Sequence, residues 1–283
     1  MALFFASLNS GSNANCYYVG TKEYGILVDA GLSAKQTAKR LEHLGLSLAH
    51  IRGIFISHEH IDHVNGLAEL ANAIDHPVYI TNATFARFRQ LKHGKNIHFC
   101  CGDSIKIQDM AIHAFGKMHD GIDPHSFVVE RAGVRVGVFT DIGNACEKLK
   151  HHFSHCHAAI LESNYDEKML HNGRYPQFLK HRIRGEKGHL SNHQALELFR
   201  NHKSPFLQTL VLGHLSKENN HPDIVRDLFE EHCGNVKIHV ASRDTHSQLF
   251  YVSQIAYHAN IHARKAMLKP KVGNSTTQLS FSF

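Results

Sequence analysis

The chain of 283 residues is long enough to bury a core of its own and accommodates one or two domains. Its 31 Lys and Arg against 25 Asp and Glu give a net charge of +6 with neutral histidines, which favours anionic partners such as nucleic acid, and 27 histidines make that charge sensitive to pH. With 42% hydrophobic and 20% charged residues the composition is that of a globular protein, which excludes a wholly disordered chain.

No apolar run approaches the ~18 residues of a membrane-spanning helix. The opening MALFFASLNSGSNANC lacks a basic leader, so neither membrane insertion nor export is expected. The cysteines (Cys16, Cys100, Cys101, Cys146, Cys156 and Cys233) include no CxxC pair, and adjacent Cys100 and Cys101 do not readily bridge each other. They read as reduced thiols of a cytoplasmic protein.

Short apolar runs predict strands at residues 3–8, 16–19 and 25–29. Ser33 with Gln36 resembles a capping box, and the spacing through Leu41 and Leu44 predicts a helix that Gly45 ends. A strand over 53–57 then leads into HEHIDH, followed by a helix over 64–74 that stops before Pro77. Further strands are expected at 78–80, 105–107, 111–115, 126–130, 134–140, 158–162, 206–212, 236–240 and 248–252. Helices are expected at 84–91, 146–151, 192–201 and 222–232. From about residue 260 the pattern fades into a basic, then polar, stretch that reads as a mobile tail. Strands and helices mixed in two similar halves suggest a layered α/β sandwich.

The strongest chemical signal is His58-Glu59-His60-Ile61-Asp62-His63, directly after a predicted strand. Imidazole nitrogens and carboxylate oxygens suit Zn²⁺, Mn²⁺ or Fe²⁺, and a loop leaving a strand end can turn alternate donors toward different centres. Two metal ions are therefore plausible, with His58 and His60 serving one and Asp62 and His63 the other. Candidate further ligands recur at strand ends: His119, Asp141 and His214.

With these motifs, and with Asp29 ending the third strand, residues 1–252 resemble the metallo-β-lactamase superfamily. The resemblance implies an α/β fold, the four-layer αββα sandwich. It also implies a first metal held by His58, His60 and His119, a second by Asp62, His63 and His214, and Asp141 bridging both. Asp29 then supports the HxHxDH loop from behind. Two cations bridged at about 3.5–4 Å turn a shared water into a hydroxide nucleophile near neutral pH.

Within the superfamily, His60 stands where the flavodiiron oxidoreductases carry a carboxylate, and Asp141 supplies a bridge that true β-lactamases lack. A thioester hydrolase of the glyoxalase II kind keeps the same ligands, whereas the basic balance favours phosphodiesters. Glu162 at a strand end and His189 in GHLSN resemble the ribonuclease Z type of phosphodiesterase. That likeness implies a proton donor or phosphate contact at His189, with its ring oriented by Glu162. Ser191 with Gln194 also reads simply as a capping box.

Collectively, SLNSGSNANCYYVG (7–20), ILVDAGLS (26–33), ISHEHIDHVNGL (56–67), TDIG (140–143), LESNYDEKML (161–170), GHLSN (188–192) and GHLSKENN (213–220) resemble the bacterial WalJ (YycJ) family. The resemblance implies a metal-dependent 5′→3′ exonuclease on double-stranded DNA, linked to DNA repair. An RNA-processing phosphodiesterase or a small ester or thioester hydrolase of the same fold is the alternative. More distant is a DNA-binding module with a structural metal site. The loop from Ser10 to Asn15 is a candidate lining of the cleft, or simply a β-turn.

Lys180, Arg182, Arg184 and Lys187 read either as a track for a DNA backbone or as a solvated helix face. The chain divides into a hydrolase domain, 1–260, and a basic and polar tail, 261–283. The last residues, with Gln278, Leu279, Phe281 and Phe283, resemble the short peptides with which repair proteins dock on the DNA sliding clamp. They also read as an added edge strand or a sticky end.

Overall fold

The computed structural model describes residues 2–88 and 96–254. In its first half the elements run β1 (Ala2–Asn9), β2 (Cys16–Gly20), β3 (Gly25–Val28), α1 (Ala34–His43), β4 (Ile51–Phe55), α2 (Ile61–Val64), α3 (Leu67–Ala73), β5 (Val78–Ile80), α4 (Asn82–Phe85) and β6 (Asn96–His98). There follow β7 (Ser104–Ile107), β8 (Met110–Gly116), β9 (His125–Arg131), β10 (Val134–Phe139), α5 (Glu147–Phe153) and β11 (Ala158–Glu162). The chain goes on through α6 (Glu167–Asn172), α7 (Gln177–Arg184), α8 (Asn192–His202), β12 (Thr209–Gly213), α9 (Pro222–Glu230), β13 (Lys237–Val240) and β14 (Phe250–Ser253).

The strands form two seven-stranded sheets, ordered β14-β1-β2-β3-β4-β5-β6 and β13-β12-β11-β10-β9-β8-β7. Each is antiparallel where hairpins connect its strands and parallel where helices do, as in β3-β4-β5-β6 and β10-β11-β12-β13. Strand β14 returns to the first sheet, pairing Ala2 with Ser253 and so closing the second half onto the first.

Side chains alternate across a strand, so a strand covered on both faces carries apolar residues at every position. In β11, Ala158 and Ile160 face the layer between the sheets, and Ala159 and Leu161 the layer under α5, α8 and α9. The central layer also packs Phe5, Phe55, Phe127 and Phe250. A third layer, with Leu27, Leu41, Ile54 and Leu70, lies beneath α1 and α3. Three apolar layers bounded by helices outside and two sheets inside make the expected αββα sandwich. Burial of each large apolar side chain contributes about 1.5–3 kcal/mol.

Several boundaries differ from expectation. The helix expected over 64–74 is split into α2 and α3 at Gly66, where a Cβ would lie 1.8 Å from the Leu32 carbonyl oxygen. The strand expected at 53–57 is shifted to Ile51–Phe55, which frees Ser57 for the site. Thr81 caps α4, accepting from the Thr84 N–H, so that helix starts earlier than expected, and residues 89–91 of the expectation lie outside the described residues. Strand β6 and helices α6 and α7 were not anticipated as elements. The tail at 261–283 and its terminal Gln278, Leu279, Phe281 and Phe283 lie outside the described residues. Among the described residues no helix is long and apolar enough to cross a membrane.

Candidate metal centre

The polar residues singled out in the sequence meet where strands give way to loops. Asp29 follows β3, His58 follows β4, His119 follows β8, Asp141 follows β10, Glu162 ends β11 and His214 follows β12. Asp29, Asp141 and His214 have φ of 63°, 56° and 56°, in the left-handed region that side chains other than those of Gly, Asn, Asp and His rarely adopt. Such conformations cost free energy and concentrate where a side chain must be aimed. Asp62 and His63 lie on the single turn of α2, which backbone bonds hold in place. Asn15 N–H donates to Asp62 O (2.7 Å) and Ala30 N–H to His63 O (2.7 Å). Gly31 permits the close approach, since a Cβ there would lie 1.9 Å from Asp62 O.

His58, His60 and His119 form one donor cluster. His60 Nδ1 is 3.0 Å from His58 Nε2 and 3.3 Å from His119 Nε2, so three nitrogens converge on one point. The opposite ring nitrogens are held from behind. His58 Nδ1 bonds to Ser57 Oγ (2.8 Å), whose hydroxyl donates to Asp29 (2.9 Å), and His119 Nδ1 donates to the Gly188 carbonyl (3.1 Å). Outer partners of this kind fix the tautomer and aim of a metal-ligating imidazole.

Asp62, His63 and His214 form the second cluster, and Asp141 lies between the two. Its Oδ2 is 3.0 Å from His63 Nε2, and its Oδ1 is 3.6 Å from both His119 Nε2 and His214 Nδ1. His63 Nδ1 donates to Asp29 Oδ2 (2.7 Å) and His214 Nδ1 to Glu162 Oε1 (2.9 Å), leaving both Nε2 atoms turned inward.

Glu162 is fully buried and fully bonded. Oε1 accepts from His189 Nδ1 (2.8 Å) as well as His214, and Oε2 accepts from the backbone N–H groups of Ile142 (2.6 Å) and Leu190 (3.3 Å). One carboxylate thus ties together the loops that carry Asp141, His189 and His214.

Burial penalises charge throughout the site, and the neighbours decide which groups carry it nonetheless. Burial, reinforced by His63, holds the His58 imidazole well below the usual histidine range, and burial brings His119 down to about 4. In the second cluster burial is overcome. Asp141, then Asp62 and Glu162, carry His214 up to about 10, and Asp141, Asp29 and Asp62 raise His63 well above its ordinary value. Against the same burial, His214 and His63 keep Asp141 well below the carboxylate range, and His63 lowers Asp62. Glu162 is brought down to about 2, burial being outweighed by His189 and His214.

This donor set fits divalent cations. Asp141 Oδ2 and His214 Nε2 are buried atoms without a hydrogen bond, a costly arrangement unless a ligand completes it. Mixed nitrogen and carboxylate donors suit Zn²⁺, Mn²⁺ and Fe²⁺ alike.

Every site residue singled out in the sequence, Asp29, His58, His60, Asp62, His63, His119, Asp141, Glu162, His189 and His214, is therefore in one place. Two contributors, Ser57 and Asp120, were missed, and the loop Ser10 to Asn15, expected as a candidate lining of the cleft, does reach it through Ser12. Asn15 Nδ2 donates to Asp62 Oδ2 (3.0 Å) and lies 3.0 Å from His63 Nε2, so its loop braces the second cluster. Ser57 links His58 to Asp29. Asp120 Oδ1 lies 3.5 Å from His60 Nε2 and 3.4 Å from His119 Nε2, while its Oδ2 accepts from Arg182 Nε (2.7 Å). The position of each beside a motif residue was the available signal. The basic track is corrected in part: Lys180 is buried and donates to His171 O (2.7 Å), and Arg182 is paired with Asp120, which leaves Arg184 and Lys187 exposed to solvent without such anchoring.

Comparison with known proteins agrees with this geometry. Residues 24–214 match the Beta-lactamase superfamily domain. The chain is 34% identical over 230 residues, 80% of its length and 87% of the other's, to exodeoxyribonuclease YycJ of Bacillus anthracis. It is 29% identical over 259 residues, 87% of its length and 96% of the other's, to exodeoxyribonuclease WalJ of Streptococcus pneumoniae. Among solved structures it superposes on the metallo-β-lactamase fold protein YhfI of Bacillus subtilis with a TM-score of 0.69 at 14% identity, covering 89% of this chain and 100% of that one. The fold, the clustered His and Asp donors and these likenesses together make the chain a member of the metallo-β-lactamase superfamily, in the family of the YycJ and WalJ exodeoxyribonucleases.

Proposed function

We propose that the chain is a metal-dependent phosphodiesterase acting as a 5′→3′ exonuclease on double-stranded DNA in the cytoplasm. The observation that carries this reading is the pair of converging donor clusters joined at Asp141, with His189 held beside them by Glu162. The relatives are named exodeoxyribonucleases and this chain carries a net positive charge, both of which support DNA as the substrate. His58, His60 and His119 would hold one cation and Asp62, His63 and His214 another, with Asp141 serving both. When bound, two divalent cations supply an acidified water as nucleophile and offset the charge that builds on the phosphate.

The chain's own groups do the rest. Asp29 and Ser57 keep His63 and His58 in the tautomers that leave Nε2 free to ligate. Glu162 accepts from His189 Nδ1, so the Nε2 of that half-buried ring is left to donate a proton to the leaving oxygen. Residues 1–260 would constitute the hydrolase domain and 261–283 a tail that docks on the sliding clamp through Gln278, Leu279, Phe281 and Phe283. Loss of clamp capture on deleting 278–283 is the expected outcome of a pull-down, and unchanged capture would refute the docking.

Digestion of an end-labelled, 5′-phosphorylated duplex with Mn²⁺ or Zn²⁺, using Asp141→Ala as the blank, tests the function. Stepwise shortening from the 5′ end by the intact chain alone is expected. Absence of cleavage under either metal would contradict it. His189→Ala is expected to slow turnover while metal content is kept, and an emptied site would refute its role as acid.

A further inference from the structure

Beside the two clusters a cleft of about 190 Å³ opens onto His189 and His214. Metal donors and a proton donor deal with a phosphate, and neither needs what lines the rest of this cleft. Part of its lining is a largely apolar wall from α7 and, two residues ahead of that helix, Tyr175: Tyr175, Leu179 and Ile183 are all half-buried and four residues apart, so that Leu179 and Ile183 share one helix face. The floor is polar, with Asn164 and Ser216 joined through Ser216 N–H and Asn164 O (2.8 Å). The wall is anchored. Lys180, on the buried side of α7, donates to His171 O, and Arg182 is held at the rim by Asp120.

An aromatic and aliphatic wall facing a polar floor suits a flat heterocycle, which offers a π face to one and hydrogen-bonding edges to the other. The volume is below the roughly 300–1,000 Å³ of pockets for drug-sized ligands, so it admits one ring system and not a base pair.

We propose that this cleft receives the base of the 5′-terminal nucleotide, unpaired from its complement and laid against Tyr175, Leu179 and Ile183, while the phosphodiester that joins this nucleotide to the next lies at the metal donors. The proposal rests on the phosphodiesterase reading and adds to it that the duplex end opens by one nucleotide before each cleavage. The unpairing cost falls on the substrate, and contact with the wall offsets it.

The test is a double-mutant cycle on DNA binding and on KM. Affinity for fluorescent duplexes is measured by anisotropy with Ca²⁺ in place of the active metal, and KM with Mn²⁺. The duplexes carry an intact or an abasic 5′-terminal nucleotide and are tested against the full chain and Tyr175→Ala. Removing the base and removing the ring should each weaken binding about tenfold, and removing both should still cost about tenfold. Tyr175→Phe should bind as the parent does, and Leu179→Ala should repeat the pattern of Tyr175→Ala more weakly. A mismatched terminal pair should tighten binding several-fold, because its unpairing is already done. Independent losses that multiply to about a hundredfold, or equal binding of abasic and intact ends by the full chain, would overturn the proposal. Failure of the full chain to bind any duplex would instead remove the nuclease reading on which it rests.

Discussion

The two donor clusters lie side by side on the same strand ends, yet they are built on opposite electrostatic plans. The first is built on three imidazoles with Asp120 at its edge, and burial lowers His58 and His119, whose Nδ1 atoms meet a hydroxyl and a backbone carbonyl. The second mixes imidazole with carboxylate, and its histidines are drawn into the charged form, braced by the buried acids Asp29 and Glu162. A cation entering the first cluster meets His58 and His119 with their lone pairs already free, whereas one entering the second must displace protons from His63 and His214. The contrast implies two unlike affinities within one centre, with proton displacement weighing more on the second side than on the first.

Asp141→Ala removes the group common to both clusters and leaves His63 and His214 without their largest source of charge support. Turnover on duplex DNA should fall by about three orders of magnitude, measured under saturating Mn²⁺. Glu162→Gln and Asp29→Asn sharpen the comparison from the second side. Glu162→Gln should weaken the second metal about 10- to 100-fold and spare the first, read as metal content after dialysis against graded chelator. Asp29→Asn should weaken the second more than the first, because Asp29 holds His63 directly and His58 only through Ser57. Equal losses from both clusters in Glu162→Gln would erase the distinction.

The smallest effect concerns the scaffold. Ser191 accepts from Gln194 N–H while the Gln194 side chain accepts from Ser191 N–H, a complete capping box that starts α8 behind His189. Ser191→Ala should cost about 1 kcal/mol of stability in urea unfolding, with metal content unchanged.

The clustered donors were legible because HxHxDH packs several of them after a buried strand, and because His119, Asp141 and His214, like the supporting Asp29, each stand at the end of an apolar run. The sandwich was legible for a related reason: runs such as 158–162, apolar at nearly every position, are what a strand covered on both faces requires. What stayed hidden depends on contacts between distant residues. That Glu162 supports His214 as well as His189 follows only when β11 and β12 pair in parallel and set Glu162 opposite Gly213. Asn15 reads as a loop residue until α2 packs against its backbone. The break at Gly66 arises from Leu32 in another loop, which helical periodicity does not encode. Helices α6 and α7 are short and polar, so their apolar positions were too few to declare a period, and the cleft wall went unseen with them.

Calorimetric titration of the metal-free chain with Zn²⁺ measures the unlikeness of the two clusters most directly. Titrations at pH 7.5 in buffers of different ionisation enthalpy count the protons released with each equivalent of metal. Because His214 and His63 are raised, both carry protons at that pH, and the affinity of their cluster should rise with pH until His214 titrates near 10. His58 and His119 are lowered, so these two are already neutral and contribute little pH dependence to the affinity of their cluster between pH 6 and 8. The prediction is two equivalents of metal, the one at His63 and His214 releasing about two protons and the other, at a cluster where His58 and His119 have none to give up, releasing fewer. A single equivalent, or two that release the same number of protons, would contradict it.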